Sequence, residues 1–274
     1  MLRPHRLIIT PYLNTRAFVH HRPPGMFRFL PLTPREAVPA LLAGKAIAGL
    51  VPVGGLSELG FEVDLLGHYG IASPGPAQSV LLLSKRPFDS LGASQRVRLS
   101  ADSMSSVRLL YLLLASRKGR RALPRPAAEG EAFDAELVIG DRALQPGIRS
   151  AWPHVTDLAE AWQARHQLPM VFARWVVHRR ASSSMRAHLA WWLSAYALRE
   201  EALRDRAAAE DYAMAGLDPP SARAYLGGLR HVLTEEDLAG QARYEQELAA
   251  HPWIEELLAS VPPIRQTPQE ILLA

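Results

Sequence analysis

The sequence predicts an α/β fold in two lobes followed by a helical C-terminal tail, and three observations lead to this prediction. Over the first ninety residues, short apolar runs bounded by proline or glycine alternate with a helix-like stretch, which is typical of parallel α/β units. A second series of strand, helix and strand patterns covers residues 95–177. From Ser182 onward, apolar residues recur every three or four positions, which indicates helices alone.

The first unit contains three predicted buried strands, at residues 6–10 (RLIIT), 46–53 (AIAGLVPV) and 78–84 (QSVLLLS). Between the first two, Thr33 and Glu36 stand in the positions of a capping box around Pro34, and the helix that they begin ends at Gly44. Because a capping box explains both polar side chains, we assign Thr33 and Glu36 to structure rather than to a site.

The second unit contains three further predicted strands, at residues 95–99 (QRVRL), 136–140 (ELVIG) and 169–177 (PMVFARWVV). A serine-rich stretch and a helix through Leu114 stand between the first two of these strands. The tail predicts three helices, the third capped by Thr234, and Trp191 and Trp192 are predicted to be core aromatics on a helical face.

Two α/β units followed by helices are what two lobes joined by two chain crossings would produce. We assign residues 1–90 together with 179–274 to the first lobe, and residues 91–178 to the second. A cleft between lobes is a preferred place for a small ligand, so the site is expected there.

Composition excludes several classes of function. The chain of 274 residues has no cysteine, which excludes disulfides, thiolate catalysis and thiolate metal sites. Its net charge is +4, and its positively charged residues are almost all arginine, which suggests a GC-rich genome more than nucleic-acid binding. The basic run at 117–121 is predicted to be a solvated loop. The longest apolar run, 109–115, is too short to span a membrane, and no signal-peptide core is present, so a soluble cytoplasmic protein is expected.

Polar residues follow several of the predicted strands, where α/β clefts bind ligands. Asn14 follows the first strand, and Asp141 follows the strand at 136–140; each is equally explained as a helix cap or a turn residue. Ser103, Ser105 and Ser106 precede the helix through Leu114 and either cap it or hold an anionic ligand at its N-terminus.

No cofactor or metal is indicated. Gly54 and Gly55 lack the spacing of a phosphate-binding loop, and the ten histidines form no pattern of metal ligands.

Six motifs, taken in order, resemble one family. They are PYLNTRAF (11–18), LVPVGGLSEL (50–59), SPGPAQSVLLLSKRP (73–87), LSADSMSSVRLL (99–110), ELVIGDRAL (136–144) and DLAEAWQARHQLPMVFARW (157–175). In this order they are similar to the chorismate dehydratases of the futalosine route to menaquinone, over about residues 6–180. Two departures stand out: the family's Ser-x-Thr-Ser is Ser103-Met104-Ser105-Ser106 here, and its Thr-Gly-Leu-Pro-Phe is replaced within residues 165–170.

The resemblance implies the type II periplasmic-binding-protein fold, with the site between two lobes, and an enzyme that removes water from chorismate to leave an enolpyruvyl-benzoate without a cofactor. Asn14 is then the expected catalytic residue. Ser79, Ser103, Ser105, Ser106 and Asp141 are the expected substrate-binding residues. Serine for threonine keeps the hydroxyl, so the serines are expected to form, with the helix N-terminus, a cradle for a substrate carboxylate.

The proton-abstracting base is the missing part of this site, because Asp102 and Asp141 are the only carboxylates in the matched motifs that are, or stand directly beside, an expected site residue. One hypothesis is that the substrate's own enolpyruvyl carboxylate takes the ring proton. Two alternative functions stay open: the sister 1,4-dihydroxy-6-naphthoate synthase, whose Ser-Pro-Cys-Pro-Asn-Asp motif is Thr10-Pro11-Tyr12-Leu13-Asn14-Thr15 here, and a non-catalytic protein that binds a small anion.

Overall fold

Two β-sheets form the centres of two lobes in the computed structural model, which describes residues 4–116 and 122–259. The first sheet has the strand order β11-β4-β10-β3-β1-β2. Its strands are β1 (His5–Ile9), β2 (Phe27–Pro31), β3 (Ala48–Pro52), β4 (Val63–Ser73), β10 (Met170–His178) and β11 (Arg230–Val232). The second sheet has the order β7-β6-β8-β5-β9. Its strands are β5 (Val80–Ser84), β6 (Arg96–Arg98), β7 (Arg125–Pro126), β8 (Ala135–Ile139) and β9 (His154–Asp157).

The helices cover both sheets and form most of the tail. In chain order they are α1 (Arg16–His20), α2 (Pro34–Leu42), α3 (Leu56–Leu59), α4 (Ser105–Ala115), α5 (Asp141–Leu144), α6 (Leu158–His166), α7 (Ser183–Ala197), α8 (Glu200–Glu210), α9 (Pro219–Gly227), α10 (Glu235–Ala250) and α11 (Trp253–Ala259). The predicted capping box begins α2, since the Thr33 N–H donates to the Glu36 carboxylate over 2.9 Å. The Thr234 cap begins α10 in the same way. The basic run at 117–121 lies outside the described residues.

The pairing of the strands records where the chain passes from one sheet to the other. β1 pairs in parallel with β2 and β3, and β6 pairs in parallel with β7 and β8, as the alternating pattern predicts. In contrast, β10 is antiparallel to both of its main neighbours, and so is β5. These two antiparallel strands are the first strands that the chain forms after each crossing.

Sheet membership differs from the predicted boundaries at 90/91 and 178/179. β5 belongs to the second sheet although it precedes residue 91, and β10 belongs to the first sheet although it precedes residue 179. Each predicted boundary lies after an apolar run, β5 or β10, whereas the chain changes sheets before that run. We propose that the chain crosses at residues 74–79 and 167–169.

Several strands of the structure were not predicted from the sequence, for physical reasons. β2 and β9 are edge strands that carry polar residues, and their apolar alternation is correspondingly weak. The long β4 has two register shifts against β10 and a glycine, Gly67, with a φ of +57°. The tail is not wholly helical, because β11 pairs with the free edge of β4.

The core of the first lobe includes the tail helices α7, α8 and α9, whereas Tyr244 of α10 and Ile254 of α11 belong to the buried cluster of the second lobe. The tail is therefore part of the fold, but it does not belong to the first lobe alone. Trp175, Trp192, Tyr196 and Tyr225 belong to one buried cluster with residues of β1 and α1. The prediction for the two neighbouring tryptophans was half wrong, since Trp192 is 1% exposed and Trp191 is 68% exposed. Successive residues on a helix point about 100° apart, so both rings cannot face one core.

Candidate functional site

A cavity of about 630 Å³, partly open to solvent, lies between the two lobes. The apolar part of its wall includes Leu50, Ile71, Phe172 and Leu229, and its polar part includes Thr10, Asn14, Ser79, Ser103, Ser105 and Ser106. None of the described residues that line it carries a formal charge. An anion bound here is therefore held by neutral hydrogen-bond donors and by backbone dipoles.

The three predicted serines at the start of α4 have three different situations. The Ser103 hydroxyl oxygen accepts the N–H of Ser106 over 3.2 Å, which is the capping role. Ser106 lines the cavity and is 5% exposed, and its hydroxyl has no hydrogen-bond partner among the described residues. The Ser106 hydroxyl is therefore free to meet a ligand, and the Ser103 hydroxyl, whose oxygen accepts, also keeps its hydrogen for a ligand among the described residues.

Ser105 joins the lobes instead. Its hydroxyl oxygen accepts the N–H of Gly54 over 3.1 Å and donates to the Phe172 carbonyl over 3.0 Å. A side chain at Gly54 would bring its Cβ to 3.0 Å from the Ser105 Cα, so the glycine permits this close approach. Gly54, which lacks the spacing of a phosphate-binding loop, therefore lets the two lobes approach each other closely.

Asn14 lies in a 3₁₀ turn (Leu13–Thr15) that follows β1, and it lines the cavity. The turn is held from within, because the Thr15 hydroxyl donates to the Thr10 carbonyl over 2.6 Å. No side-chain cap is found for this turn or for α1, and the Asn14 Oδ1 atom is buried without a hydrogen-bond partner. Asn14 is therefore no helix cap, and its side-chain oxygen is unused within the described protein.

Asp141 does not line the cavity. It begins α5 in the second lobe, and its Oδ1 accepts the N–H of Leu13 over 2.9 Å. Burial raises the pKa of Asp141 to about 6, and the Leu13 N–H and the nearby Arg16 charge partly offset this rise. The predicted substrate contact of Asp141 stays a prediction, whereas its bond to Leu13 ties the Asn14 turn to the opposite lobe.

Ser79 lines the cavity within the first crossing, and a residue of the tail contacts it. The Tyr225 hydroxyl donates to the Ser79 hydroxyl oxygen over 3.0 Å. His231, whose ring contacts Phe18 and Tyr196, is also fully buried, and burial lowers its pKa to about 3, so its ring is neutral. Burial also raises the pKa of the Tyr225 hydroxyl, which therefore stays protonated.

Sequence reasoning missed Tyr12, Tyr225 and His231. Tyr12 belongs to a quoted motif, and it lines the cavity against Gly140. A Cβ at Gly140 would lie only 2.9 Å from the Tyr12 ring, and the φ of +63° at this position also favours glycine. The glycine in the motif IGD was an available signal for this contact. Tyr225 and His231 lie beyond the motifs, in a stretch read as a plain helical tail, and nothing in the local pattern distinguished them.

A second cavity, of about 990 Å³ and also partly open to solvent, lies on the other side of Ser103 and Met104. Arg35 and Arg108 are on its wall, but Arg108 is paired with Glu58 over 3.2 Å and with Glu255 over 2.6 Å. Its cationic groups make it the rival location for an anion.

Within residues 4–116 and 122–259, no group of three or more His, Asp or Glu side chains is arranged to hold a metal ion. Within the same part of the chain, no helix combines the length and the apolar character needed to cross a membrane.

Solved structures with the same arrangement belong to the periplasmic-binding-protein fold. The aliphatic sulphonate binding protein SsuA of Escherichia coli has a TM-score of 0.59 at 16% identity, with 93% of this chain and 94% of that chain covered. Protein AF1704 of Archaeoglobus fulgidus has a TM-score of 0.65 at 16% identity, with 91% and 98% covered. The two-lobe fold that the resemblance implied is confirmed.

Sequence comparison reaches further than the fold. The chorismate dehydratase of Thermus thermophilus is 31% identical over 274 aligned positions, which cover 90% of this chain and 96% of the relative. The family described as menaquinone biosynthesis matches residues 5–250, which include the tail as far as the end of α10. On this evidence, the chain belongs to the menaquinone-biosynthesis family.

Proposed function

We propose that this protein is a chorismate dehydratase, which converts chorismate to 3-[(1-carboxyvinyl)oxy]benzoate and water. The observation that carries the proposal is the 31% identity to a chorismate dehydratase over 90% of the chain. The cavity between the lobes supports it, because its wall includes Ser106 at the N-terminus of α4 and Asn14, whose Oδ1 has no partner among the described residues.

The ring carboxylate of chorismate is expected at the N-terminus of α4. Ser106 offers a free hydroxyl there, and the helix adds its positive dipole end, which together favour an anion without a cationic side chain. The ring itself fits against apolar wall residues such as Leu50, Ile71 and Phe172. Negative charge that spreads into this carboxylate during the reaction would be stabilised by the same donors.

The Asn14 side chain is expected to meet the ring hydroxyl rather than a carboxylate. Its Oδ1 is the atom without a partner, and an amide oxygen accepts a hydrogen bond but repels a carboxylate. Accepting the hydrogen of the ring hydroxyl would fix the direction of the C–O bond that breaks. Orientation of this kind is a large part of what an elimination needs when the product is aromatic.

The base in this scheme comes from the substrate. None of the described residues on the cavity wall is an aspartate or a glutamate. The enolpyruvyl carboxylate takes the proton from the ring carbon that bears the ether, the electron pair of that C–H bond enters the ring, and the hydroxyl leaves. The hydroxyl recovers one proton as it departs, so the net products are the aromatic ether and one water.

The test is to incubate the purified protein with chorismate and a chelator, without any added cofactor, and to separate the products by chromatography. We expect an aromatic product that keeps its ether group. Unchanged chorismate, with binding that calorimetry still detects, would favour the non-catalytic anion-binding alternative and overturn the proposal.

A further inference from the structure

The tail helix α9 brings one buried hydroxyl directly beneath the cavity wall. Tyr225 is 2% exposed and does not line the cavity, yet its hydroxyl donates to Ser79, which does and which lies 146 residues earlier in the chain. The six motifs that resemble the family end at residue 175, so they give no indication that α9 contributes to the site.

The same hydroxyl also contacts Asn14. The Asn14 side chain faces the Tyr225 hydroxyl closely enough to act against the rise in pKa that burial causes, as a hydrogen-bond donor does. Since the Asn14 Oδ1 has no partner among the described residues, the amide nitrogen is the group turned toward Tyr225. A tyrosine hydroxyl has one hydrogen to give and can accept in return. Since Tyr225 donates its hydrogen to Ser79, its oxygen can accept a hydrogen bond from the Asn14 amide, and the two bonds are compatible.

These two bonds determine how each group faces the cavity. With its nitrogen on Tyr225, the Asn14 amide turns its oxygen away from the tyrosine, and this is the atom expected to meet the ring hydroxyl. Ser79, with its oxygen already accepting from Tyr225, uses its own hydrogen in a weak contact to the Ala77 carbonyl at 3.3 Å. That hydrogen is the one that Ser79 can turn toward a ligand.

The position of Tyr225 is itself held from several sides. Asp218 caps α9 by accepting the Ser221 N–H over 2.8 Å. At the other end, the Arg204 guanidinium donates to the carbonyls of Leu226 and Leu229 over 3.1 and 2.6 Å. A hydroxyl on so constrained a helix has little freedom to follow Asn14 if Asn14 moves.

We propose that Tyr225 is a positioning residue of the dehydration site, which holds the Asn14 amide and the Ser79 hydroxyl in the orientation in which they meet chorismate. This inference rests on the proposed function. Tyr225→Phe keeps the ring and its packing, and it removes only the hydroxyl. We expect kcat/KM for chorismate to fall about tenfold, mostly through kcat, as is usual when an orienting hydrogen bond is lost.

The matched control is Tyr111→Phe. Tyr111 is fully buried in the second lobe, and its hydroxyl donates to the Pro124 carbonyl at 3.4 Å, away from the cavity wall. Both variants lose one buried hydroxyl, so both are expected to melt a few degrees lower at most. Only Tyr225→Phe is expected to change kcat per folded molecule.

A double-mutant cycle separates positioning from general destabilisation. If Tyr225 acts mainly through Asn14, then Tyr225→Phe costs much less in the Asn14→Ala background than in the wild-type protein. A wild-type kcat in the single variant, or equal losses in both backgrounds, would overturn the inference. If the wild-type protein itself leaves chorismate unchanged, the proposed function fails and not the role of Tyr225 in particular.

Discussion

The serines at the start of α4 give a prediction whose size follows from their contacts. Ser106→Ala removes a hydroxyl that has no hydrogen-bond partner among the described residues, so no hydrogen bond found in that part of the protein is lost with it. A hydrogen bond to a charged group contributes roughly 1.5–3 kcal/mol, and each 1.4 kcal/mol is about tenfold in affinity. We therefore expect Ser106→Ala to weaken chorismate binding about 10- to 100-fold while the melting temperature stays within about one degree of the wild type.

Ser105→Ala is the contrasting variant. It leaves the buried Gly54 N–H without its acceptor and the Phe172 carbonyl without its donor. An unsatisfied buried group costs about 1–3 kcal/mol, which lowers the melting temperature of a chain of this size by several degrees. Calorimetric titration with chorismate and thermal melts of both variants give the comparison. Normal affinity in Ser106→Ala would refute the carboxylate cradle at the start of α4.

Two further variants test the Asn14 turn. Asn14→Asp is expected to lower turnover at least as much as Asn14→Ala, by about a hundredfold, because it places a negative charge beside a dianionic substrate; turnover at the wild-type rate in Asn14→Asp would contradict this. For Asp141, the raised folded pKa of about 6 means that the folded state binds protons more tightly than the unfolded chain, so the stability from this group is full below about pH 4 and is lost as the pH rises through 6. Asp141→Asn should remove this pH dependence of the free energy of unfolding, which amounts to about 3 kcal/mol at most over the full pH range. Urea unfolding of both proteins at pH 5 and pH 7 measures it. The same change in unfolding free energy between the two pH values in both proteins would contradict the prediction.

The elements that the sequence predicted well are those that bury an apolar face of their own. Four strands, β1, β3, β5 and β8, are short apolar runs that can be identified from their own residues. The helix α2 can be identified in the same way, because its capping box is visible in the sequence. The missed elements depend on neighbours. β11 is three residues long and exists because β4 offers a free edge, which is information that no local window contains.

The site was predictable in part for the same reason. Asn14 and the serines lie at the ends of recognisable elements, so the position of the cavity between two lobes could be expected. The division of roles among Ser103, Ser105 and Ser106 could not, because it depends on which atoms of the other lobe lie within 3.5 Å. Asp141 illustrates the same limit, since its partner, Leu13, is 128 positions away in the chain.

A crystal structure of the Asn14→Ala variant with chorismate is the measurement that tests the central claim most directly. The expected result is chorismate between the two sheets, with a carboxylate within hydrogen-bond distance of the Ser106 hydroxyl and the enolpyruvyl group folded toward the ring carbon that bears the ether. Chorismate bound instead in the second cavity beside Arg108, or with neither carboxylate at the start of α4, would contradict it.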